Sequence, residues 1–399
     1  MPRLSKPCLQ KMHHTLSQFI DRKDLPGLVA LVSYHGDVHV ETLGTLSFDN
    51  PTPMRRNTIF RIASLTKLVT AVAAMILVED CKIRLDDSID PWLPELANRR
   101  VLKSISSPLD DTVTAHRSIT LRDLLTFRMG FGSVMAMPGT YPIQKVIREY
   151  RVGGDGPILP NLALPAGDWL QKLGSLPLMA QPGERWMYHV SGDVLGTLIA
   201  RVSGQSLGAF MRDRIFQPLA MKDTAFHVPP EKIDRLPGFY FFNRQAGKLA
   251  FFDDPANSAW KTDPPFESGG GGLLSTLDDF FAFSQMLLNK GHHGHQQILS
   301  RATVELMTSD QLTPSNRQGA EFFFGTHSSW ALGMAVDTHP NQIYHSPGRY
   351  GWNGGYGTTA YNDPANHLIG ILFTQRMMDS PELPKVFTDF WTLAYQALE

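Results

Sequence analysis

The hydrophobic pattern of the chain centres on residues 65–78, a run that is apolar on almost every side. It contains neither Gly nor Pro, and Lys67 is its only charged residue. A helix that is apolar all round is a buried helix, so we expect this one to lie in the core. Residues 8–22 differ, because their apolar positions recur at helical spacing along one face, and they predict an amphipathic helix.

Extended apolar segments cluster at the two ends of the chain. The first two flank His35-Gly36-Asp37 and predict a β-hairpin. The predicted terminal strands are residues 28–34, 38–43, 330–336, 355–362 and 367–374. A helix at 382–398 closes the chain, while helical patterns and one hairpin, with strands 238–242 and 248–252, occupy the middle. This order, without βαβ alternation, predicts an α+β fold.

In that fold an antiparallel β-sheet is built from both chain ends with flanking helices, plus an inserted mainly helical lobe. The length of 399 residues fits one enzyme-sized unit. We therefore predict a single catalytic domain over 1–399, with one lobe formed by 1–60 and 300–399 and the helical lobe by 61–299. Residues 130–183, rich in Gly and Pro, predict a long excursion that forms a pocket wall or lid.

Several local signals predict where helices and turns begin. Thr120 and Asp123 have capping-box spacing, as do Ser275 and Asp278. The sequence also favours Ser191 as the cap of the helix that follows it. The glycine run 268–272 lacks the Gly-Lys-Ser/Thr ending of a phosphate loop, so it predicts a tight turn with close backbone packing.

The candidate catalytic residues lie at the start of the buried helix. Ser64 and Lys67 are about one turn apart, so their side chains leave the same face. A buried amine has a lowered pKa and can act as a base at neutral pH, which would activate the serine as a nucleophile. The alternative is an N-cap serine followed by a lysine that reaches the surface. Ser258 and Lys261 repeat the spacing, but in a loop-like segment that predicts no catalytic pair.

Two further patterns suggest chemistry that their context does not support. Gly204-Gln205-Ser206-Leu207-Gly208 matches the Gly-x-Ser-x-Gly signature, which needs a strand, a sharp turn and a helix. Here it joins two predicted helices, and Ser206 is interpreted as a cap. His292-His293-Gly294-His295 follows a predicted helix end and favours a solvated loop over a metal site. The sequence predicts neither a metal nor another cofactor.

Composition and charge limit the kinds of molecule that we expect the protein to bind. A formal net charge of −1 gives no electrostatic case for nucleic acid or an anionic membrane. The N-terminus shows no apolar segment of a secretory signal, and the two cysteines, Cys8 and Cys81, favour free thiols. We therefore predict a soluble cytoplasmic protein whose partner is a small molecule. The sequence does not indicate an oligomeric state.

A serine–lysine pair also needs a proton relay and an oxyanion hole. Tyr188 is the best relay candidate, because it stands between a Pro-Gly turn and a predicted helix start. A cationic lysine nearby would lower its pKa and ease proton transfer. The Gly-rich residues 350–358 suit close backbone approach to a substrate. The alternatives are a packed aromatic side chain and a tight turn, respectively.

Three stretches together resemble the serine β-lactamase and penicillin-binding-protein fold, most closely class C β-lactamases and family VIII carboxylesterases. Residues 60–67 match the nucleophile motif, and 188–193 match the tyrosine motif. Trp352-Asn353-Gly354 stands where the family has Lys-Thr-Gly, His-x-Gly or Trp-Gly-Gly. The resemblance implies Ser64 as nucleophile, Lys67 as general base and Tyr188 as proton shuttle. It places the oxyanion hole at the backbone N–H groups of Ser64 and Gly355.

Departures from the family pattern indicate the substrate. Val190 stands where the β-lactamases have Asn, and Trp352 replaces the lysine that binds a β-lactam carboxylate. A pocket formed by these two residues with Asn353 and Gly354 is less polar and better suited to a neutral ester. The sequence thus predicts a serine carboxylesterase for short-chain or small-molecule esters. The alternatives are a β-lactamase or D-amino-acid peptidase or amidase, an acyltransferase to an alcohol other than water, and a non-catalytic acyl-binding or scaffold protein.

Overall fold

The computed structural model describes residues 3–153, 159–380 and 382–399. Its helices α1 to α11 span Lys6–Asp21, Thr66–Glu79, Leu121–Leu125, Pro142–Tyr150, Ala166–Ser175, Val190–Ser203, Leu207–Met211, Leu277–Leu288, Arg301–Met307, Glu321–Phe324 and Lys385–Gln396. Its strands β1 to β15 span Gly27–Tyr34, Asp37–Gly44, Phe60–Arg61, Arg100–Leu102, Thr112–Thr114, Phe239–Asn243, Lys248–Asp253, Leu274–Ser275, His292–His293, Gln296–Gln297, Ser328–Trp330, Ala335–Asp337, Tyr350–Gly354, Thr358–Asp363 and Leu368–Thr374.

Both ends of the chain build one antiparallel sheet, with strand order β11-β12-β13-β14-β15-β1-β2. The first and last strands pair directly, with Leu28 opposite Thr374. Because side chains alternate along a strand, β1 sends Val29 and Leu31 to one face and Leu28 to the other. Helices α1 and α11 cover the second face, and α8 packs on the first. This arrangement confirms the predicted α+β fold.

The apolar helix α2 lies in the core, as its sequence predicts. All its residues from Thr66 to Leu77 are buried, and it packs against α6. Gly333 lets the β11–β12 connection approach it closely, since a Cβ there would lie 2.3 Å from that of Ala71. No helix in the described ranges is both long and apolar enough to span a bilayer.

Two predictions about the C-terminal strands are wrong. The run 330–336 forms parts of two strands, because Gly333 has a φ of +82° and turns the chain. Residues 350–354 form strand β13, residues 355–357 form a turn, and the next strand starts at Thr358 rather than at 355. In β13 the large side chains of Tyr350 and Trp352 alternate with small or polar residues, so the segment reads as a turn although it pairs with β14.

The helix caps are partly as predicted. Thr120 forms the predicted capping box with Asp123. Ser191 does not cap α6 but lies inside its first turn, because the preceding turn ends at His189. Similarly, Ser275 belongs to β8, and Thr276 caps α8 one residue later.

The segment 130–183, predicted as a long excursion, contains helices although its sequence shows little periodicity. It contains α4 and α5, whose buried faces include Ile143, Ile147 and Leu170. Residues 154–158 lie outside the described residues. The two cysteines are free, as predicted.

Candidate active site

Ser64 lies in a 3-10 turn, Ala63–Leu65, that connects β3 to α2. The strand before it pairs with β8, and Ala63 has a φ of +46°, so the chain bends sharply just before the serine. A buried ion pair between Arg61 and Asp253 anchors the same segment. Ser64 therefore lies on a turn that is held at both ends by elements of the core.

Lys67 is buried one turn into α2 and points back at the serine. Its Nζ lies 2.9 Å from Ser64 Oγ and 3.2 Å from His189 Nδ1, and it donates to the carbonyl of Gly270. Burial lowers the pKa of Lys67 from 10.5 to about 7, against a smaller raising effect of the Asp193 charge. The amine can thus exist without its proton at neutral pH.

Tyr188 reaches the other side of Ser64 Oγ. Its hydroxyl donates to that oxygen at 2.8 Å and accepts from Trp352 Nε1 at 2.8 Å. The lysine Nζ lies 4.8 Å from the centre of the tyrosine ring. The expected lowering of the Tyr188 pKa is wrong: burial raises it above 10.0, and the hydrogen bonds with Ser64 and Trp352 only partly offset that effect. The phenol is therefore neutral at pH 7.

Strand β13 and the turn after it form another wall. Trp352, Asn353 and Gly355 line the cavity that contains Ser64. Gly354 is buried behind that wall: a Cβ there would lie 2.7 Å from the carbonyl oxygen of Ile62, so a glycine allows β13 to approach the serine turn.

Val190 is also placed differently from the prediction. It is buried at the start of α6, and it is not among the described residues that line the cavity. The side chain of His189, one residue earlier, lines the cavity instead. The polarity of this wall is thus set by a histidine and not by the valine two positions after Tyr188.

The cavity itself has a volume of about 900 Å³. Its apolar walls include Met135, Leu164, Trp169, Trp260, Phe266 and Phe323. The first three belong to the segment 130–183, in agreement with the prediction that this segment forms a pocket wall. A volume of this size and such walls are typical of sites for drug-sized, largely apolar ligands.

Sequence reasoning missed three groups beside the lysine. They are the side chains of His189 and Asp193 and the backbone of Gly270. Asp193 Oδ2 lies 3.4 Å from His189 Nε2, and its Oδ1 accepts from the Gly270 N–H at 2.9 Å. The one available signal was the spacing of four residues between the histidine and the aspartate at a helix start, directly after Tyr188.

The other sequence patterns are structural in the described residues. Ser206 Oγ caps α7 by accepting from the Ala209 N–H. Ser258 is buried and donates to Asp253, while Lys261 donates to the carbonyl of Ala256. Residues 292–297 form a small hairpin, and no group of His, Cys, Asp or Glu side chains in the described ranges could hold a metal ion.

Known proteins are similar to this chain over most of its length. The family model described as beta-lactamase matches residues 12–387. Protein Rv1367c of Mycobacterium tuberculosis is 34% identical over 373 residues, covering 92% of this chain and 89% of that protein. Esterase EstB of Burkholderia gladioli is 33% identical over 383 residues, covering 91% and 89%.

Among solved structures, EstCE1, described as a hydrolase with promiscuous acyltransferase activity, superposes with a TM-score of 0.80 at 24% identity. The match covers 98% of this chain and 99% of that one, and it supports the fold. The resemblance to the serine β-lactamase fold is thereby confirmed. The chain belongs to the β-lactamase family and is a β-lactamase-like serine hydrolase.

Proposed function

We propose that this chain is a carboxylesterase that cleaves neutral esters through an acyl-enzyme on Ser64. One observation carries the proposal: Ser64 Oγ lies within hydrogen-bond distance of both Lys67 Nζ and the Tyr188 hydroxyl, at 2.9 and 2.8 Å, on the wall of a cavity. A nucleophile, a base and an acid thus meet at a single oxygen atom, as acyl transfer requires.

Acylation starts from neutral Lys67. Its amine takes the Ser64 proton as Oγ attacks the ester carbonyl carbon, and a tetrahedral oxyanion forms. In this proposal the backbone N–H groups of Ser64 and Gly355 donate hydrogen bonds to that oxyanion. Both residues line the cavity. Losing one such donor typically costs about 3 kcal/mol of transition-state stabilisation.

Tyr188 completes the step as a neutral acid. As the C–O bond to the alcohol breaks, the phenol protonates the departing oxygen, and the phenolate recovers a proton from the Lys67 ammonium. The Trp352 N–H, 2.8 Å from the tyrosine oxygen, stabilises the transient phenolate. Water then attacks the acyl carbonyl by the reverse route and frees Ser64, so that protons and atoms balance over the cycle.

The cavity suggests which esters fit. Trp352 occupies the position where the β-lactamase pattern has a cation, and aromatic side chains form much of the wall. We therefore propose a neutral substrate with an apolar acyl or alcohol part. The volume of about 900 Å³ exceeds the need of an acetyl group, so the range extends to larger esters than short-chain ones.

Acyl transfer to an alcohol is the second candidate. The same volume can hold an acyl group and an acceptor alcohol together, and the similar EstCE1 is described as having such an activity. Product analysis with an added acceptor alcohol separates the two functions, because an acyltransferase yields the new ester and a hydrolase yields the free acid.

The test of the first candidate is steady-state hydrolysis of p-nitrophenyl acetate, butyrate and octanoate. We expect turnover of all three, lost in Ser64→Ala and kept in Ser206→Ala, whose serine only caps a helix. Turnover that survives Ser64→Ala would reject the proposal. Turnover of a chromogenic cephalosporin instead of the esters would favour a β-lactamase, and acylation without turnover would favour a binding protein.

A further inference from the structure

We propose that His189 and Asp193 are positioning residues, which aim the lone pair of the Lys67 amine at Ser64. The inference rests on the proposed function, because it assigns the groups that make Lys67 an effective base there. His189 and Asp193 do not contact the reacting atoms of the ester in this proposal, and they act only through the lysine.

The contacts of Lys67 allow it to work as a neutral amine. Its Nζ has three neighbours: Ser64 Oγ, His189 Nδ1 and the carbonyl oxygen of Gly270. A neutral amine has two hydrogens and one lone pair. When the hydrogens are donated to the histidine nitrogen and the carbonyl, the lone pair is directed at the Ser64 hydroxyl, as a general base requires.

Asp193 fixes both of those acceptors with its two carboxylate oxygens. Oδ2 faces His189 Nε2 at 3.4 Å, so a proton on Nε2 is favoured and Nδ1 remains an acceptor. Oδ1 accepts from the N–H of Gly270 at 2.9 Å and from Ser268 Oγ at 2.5 Å. One buried carboxylate thus holds the histidine ring and the Gly270 peptide in place around the lysine.

The charge of Asp193 persists in the core. Burial raises the pKa of this carboxyl, but hydrogen bonds from His189, Ser268 and the Gly270 N–H outweigh that effect and hold the pKa below its usual value. The glycine run serves the same arrangement, since a Cβ on Gly270 would lie 2.9 Å from Asp193 Oδ1.

The backbone at His189 is strained. Its φ of +79° and ψ of −64° form a γ-turn, closed by a hydrogen bond from the Val190 N–H to the Tyr188 carbonyl at 3.2 Å. Residues other than glycine rarely adopt this conformation, and such strain clusters at functional sites. Glycine would adopt it without strain, so His189→Gly removes the imidazole without adding backbone strain.

Three ionisable side chains face Lys67: the ring of Tyr188, His189 and, through its charge, Asp193. The glycine turn at 268–272 contributes a carbonyl oxygen. A change in the acidic limb of the activity profile after substitution of Asp193 therefore reports on the lysine and its immediate neighbours.

The first test compares His189→Gly with His189→Asn in the full chain on p-nitrophenyl butyrate. The glycine variant relieves the strain and folds, but removes the acceptor; we expect kcat to fall roughly 10- to 100-fold with little change in KM. Asparagine has the same backbone requirement as histidine and places a side-chain oxygen near the former Nδ1, so it should restore kcat to within about threefold of the wild type. Equal kcat values for His189→Gly and the wild type would overturn the proposal.

The second test is the pH profile of Asp193→Asn. The Asp193 charge raises the pKa of Lys67, so its loss should move the acidic limb of kcat/KM to lower pH while kcat falls. A purely structural role would lower the unfolding temperature and leave the limb where it is. That outcome would overturn the assignment of Asp193.

Labelling with a fluorophosphonate separates failure of this inference from failure of the proposed function. Ser64 Oγ forms a bond to phosphorus, fluoride leaves, and the serine proton passes to Lys67, whatever the natural substrate. If the wild type hydrolyses no ester, slower labelling of His189→Gly than of the wild type still supports the positioning role. Equal labelling rates would contradict it.

Discussion

The chain contains the Ser-x-x-Lys pattern twice, and the two regions behave differently. Ser64 and Lys67 lie at the start of a buried helix, with 2.9 Å between Oγ and Nζ. Ser258 Oγ instead caps a short turn by accepting from the Trp260 N–H, and Lys261 donates to a backbone carbonyl. The same four-residue motif thus produces a candidate nucleophile in one place and a set of structural hydrogen bonds in a loop in the other.

The helix and its burial, and not the motif alone, make Ser64 and Lys67 a candidate catalytic pair. In α2 the spacing of three residues aligns both side chains, and the surrounding core lowers the pKa of the lysine to about 7. Ser258 is also buried, but its hydroxyl is engaged with Asp253. The proton of the Ser258 hydroxyl is thus donated to a carboxylate, and the Lys261 amine is bonded to the Ala256 carbonyl instead of to the serine.

Replacing each of the two serines should give the largest difference in kcat between the two regions. Ser64→Ala should lower kcat at least about 10⁴-fold, because it removes the nucleophile. Ser258→Ala should keep kcat per folded molecule and lower the free energy of unfolding by about 1 kcal/mol, through the lost cap and hydrogen bond. Ester hydrolysis and thermal unfolding of both variants measure this, and loss of kcat in Ser258→Ala alone would reverse the assignment.

Replacing the two lysines tests the base. Lys67→Met keeps an unbranched side chain, one atom shorter, but removes the proton acceptor, so kcat should fall roughly 10²- to 10⁴-fold. Lys261→Met is the matched control and should keep the wild-type kcat. Burst kinetics should show that acylation is the slowed step in Lys67→Met. An unchanged acylation rate in that variant would remove Lys67 from the mechanism.

The pH dependence of kcat/KM tests whether Lys67, in its buried surroundings, acts as the base. Only the neutral amine of Lys67 can accept the serine proton, and its pKa is about 7. Below that pH the protonated fraction grows, so kcat/KM should fall about tenfold per pH unit, and above it should reach a plateau. The measurement is kcat/KM between pH 5 and 9 on a substrate that is stable over that range. A flat profile from pH 5 to 8 would contradict a base with this pKa.

The smallest predicted loss of kcat in the Ser64 site comes from replacing Trp352, the hydrogen-bond donor to Tyr188. Trp352→Phe keeps an aromatic wall but removes the N–H that is donated to Tyr188, and kcat should fall roughly tenfold. Tyr188→Phe should cost more, about 10²-fold or greater, because it removes the acid itself. If Trp352→Phe lost more activity than Tyr188→Phe, the tryptophan rather than the tyrosine would be central.

Periodicity predicted much of the fold. The buried helix after Ser64 and the sheet made from both chain ends follow from apolar patterns, which report burial directly. Strand β13 was missed because Gly351 and Gly354 interrupt its alternation of large apolar residues. Gly354 allows the strand to approach the serine turn closely. Helix α4 was missed although Ile143 and Ile147 have helical spacing, since neighbouring Gly and Pro residues mask it.

The candidate site was only partly predictable. Motif spacing placed Ser64 and Lys67 together, and both the local context and the resemblance pointed to Tyr188, whose hydroxyl does reach the serine. His189 and Gly270 contact a lysine that is more than one hundred positions away in the sequence, which local patterns do not encode. The direction of the Tyr188 pKa was wrong because the burial of its hydroxyl cannot be read from the sequence.

The most direct test of the central claim is to locate the acyl group. The protein is incubated with an ester that deacylates slowly and quenched in acid, and its intact mass and peptides are analysed. We predict a single acyl adduct on the peptide that contains Ser64, absent in Ser64→Ala and present in Ser258→Ala. An adduct on Ser206 or Ser258, or steady turnover without any adduct on Ser64, would contradict it.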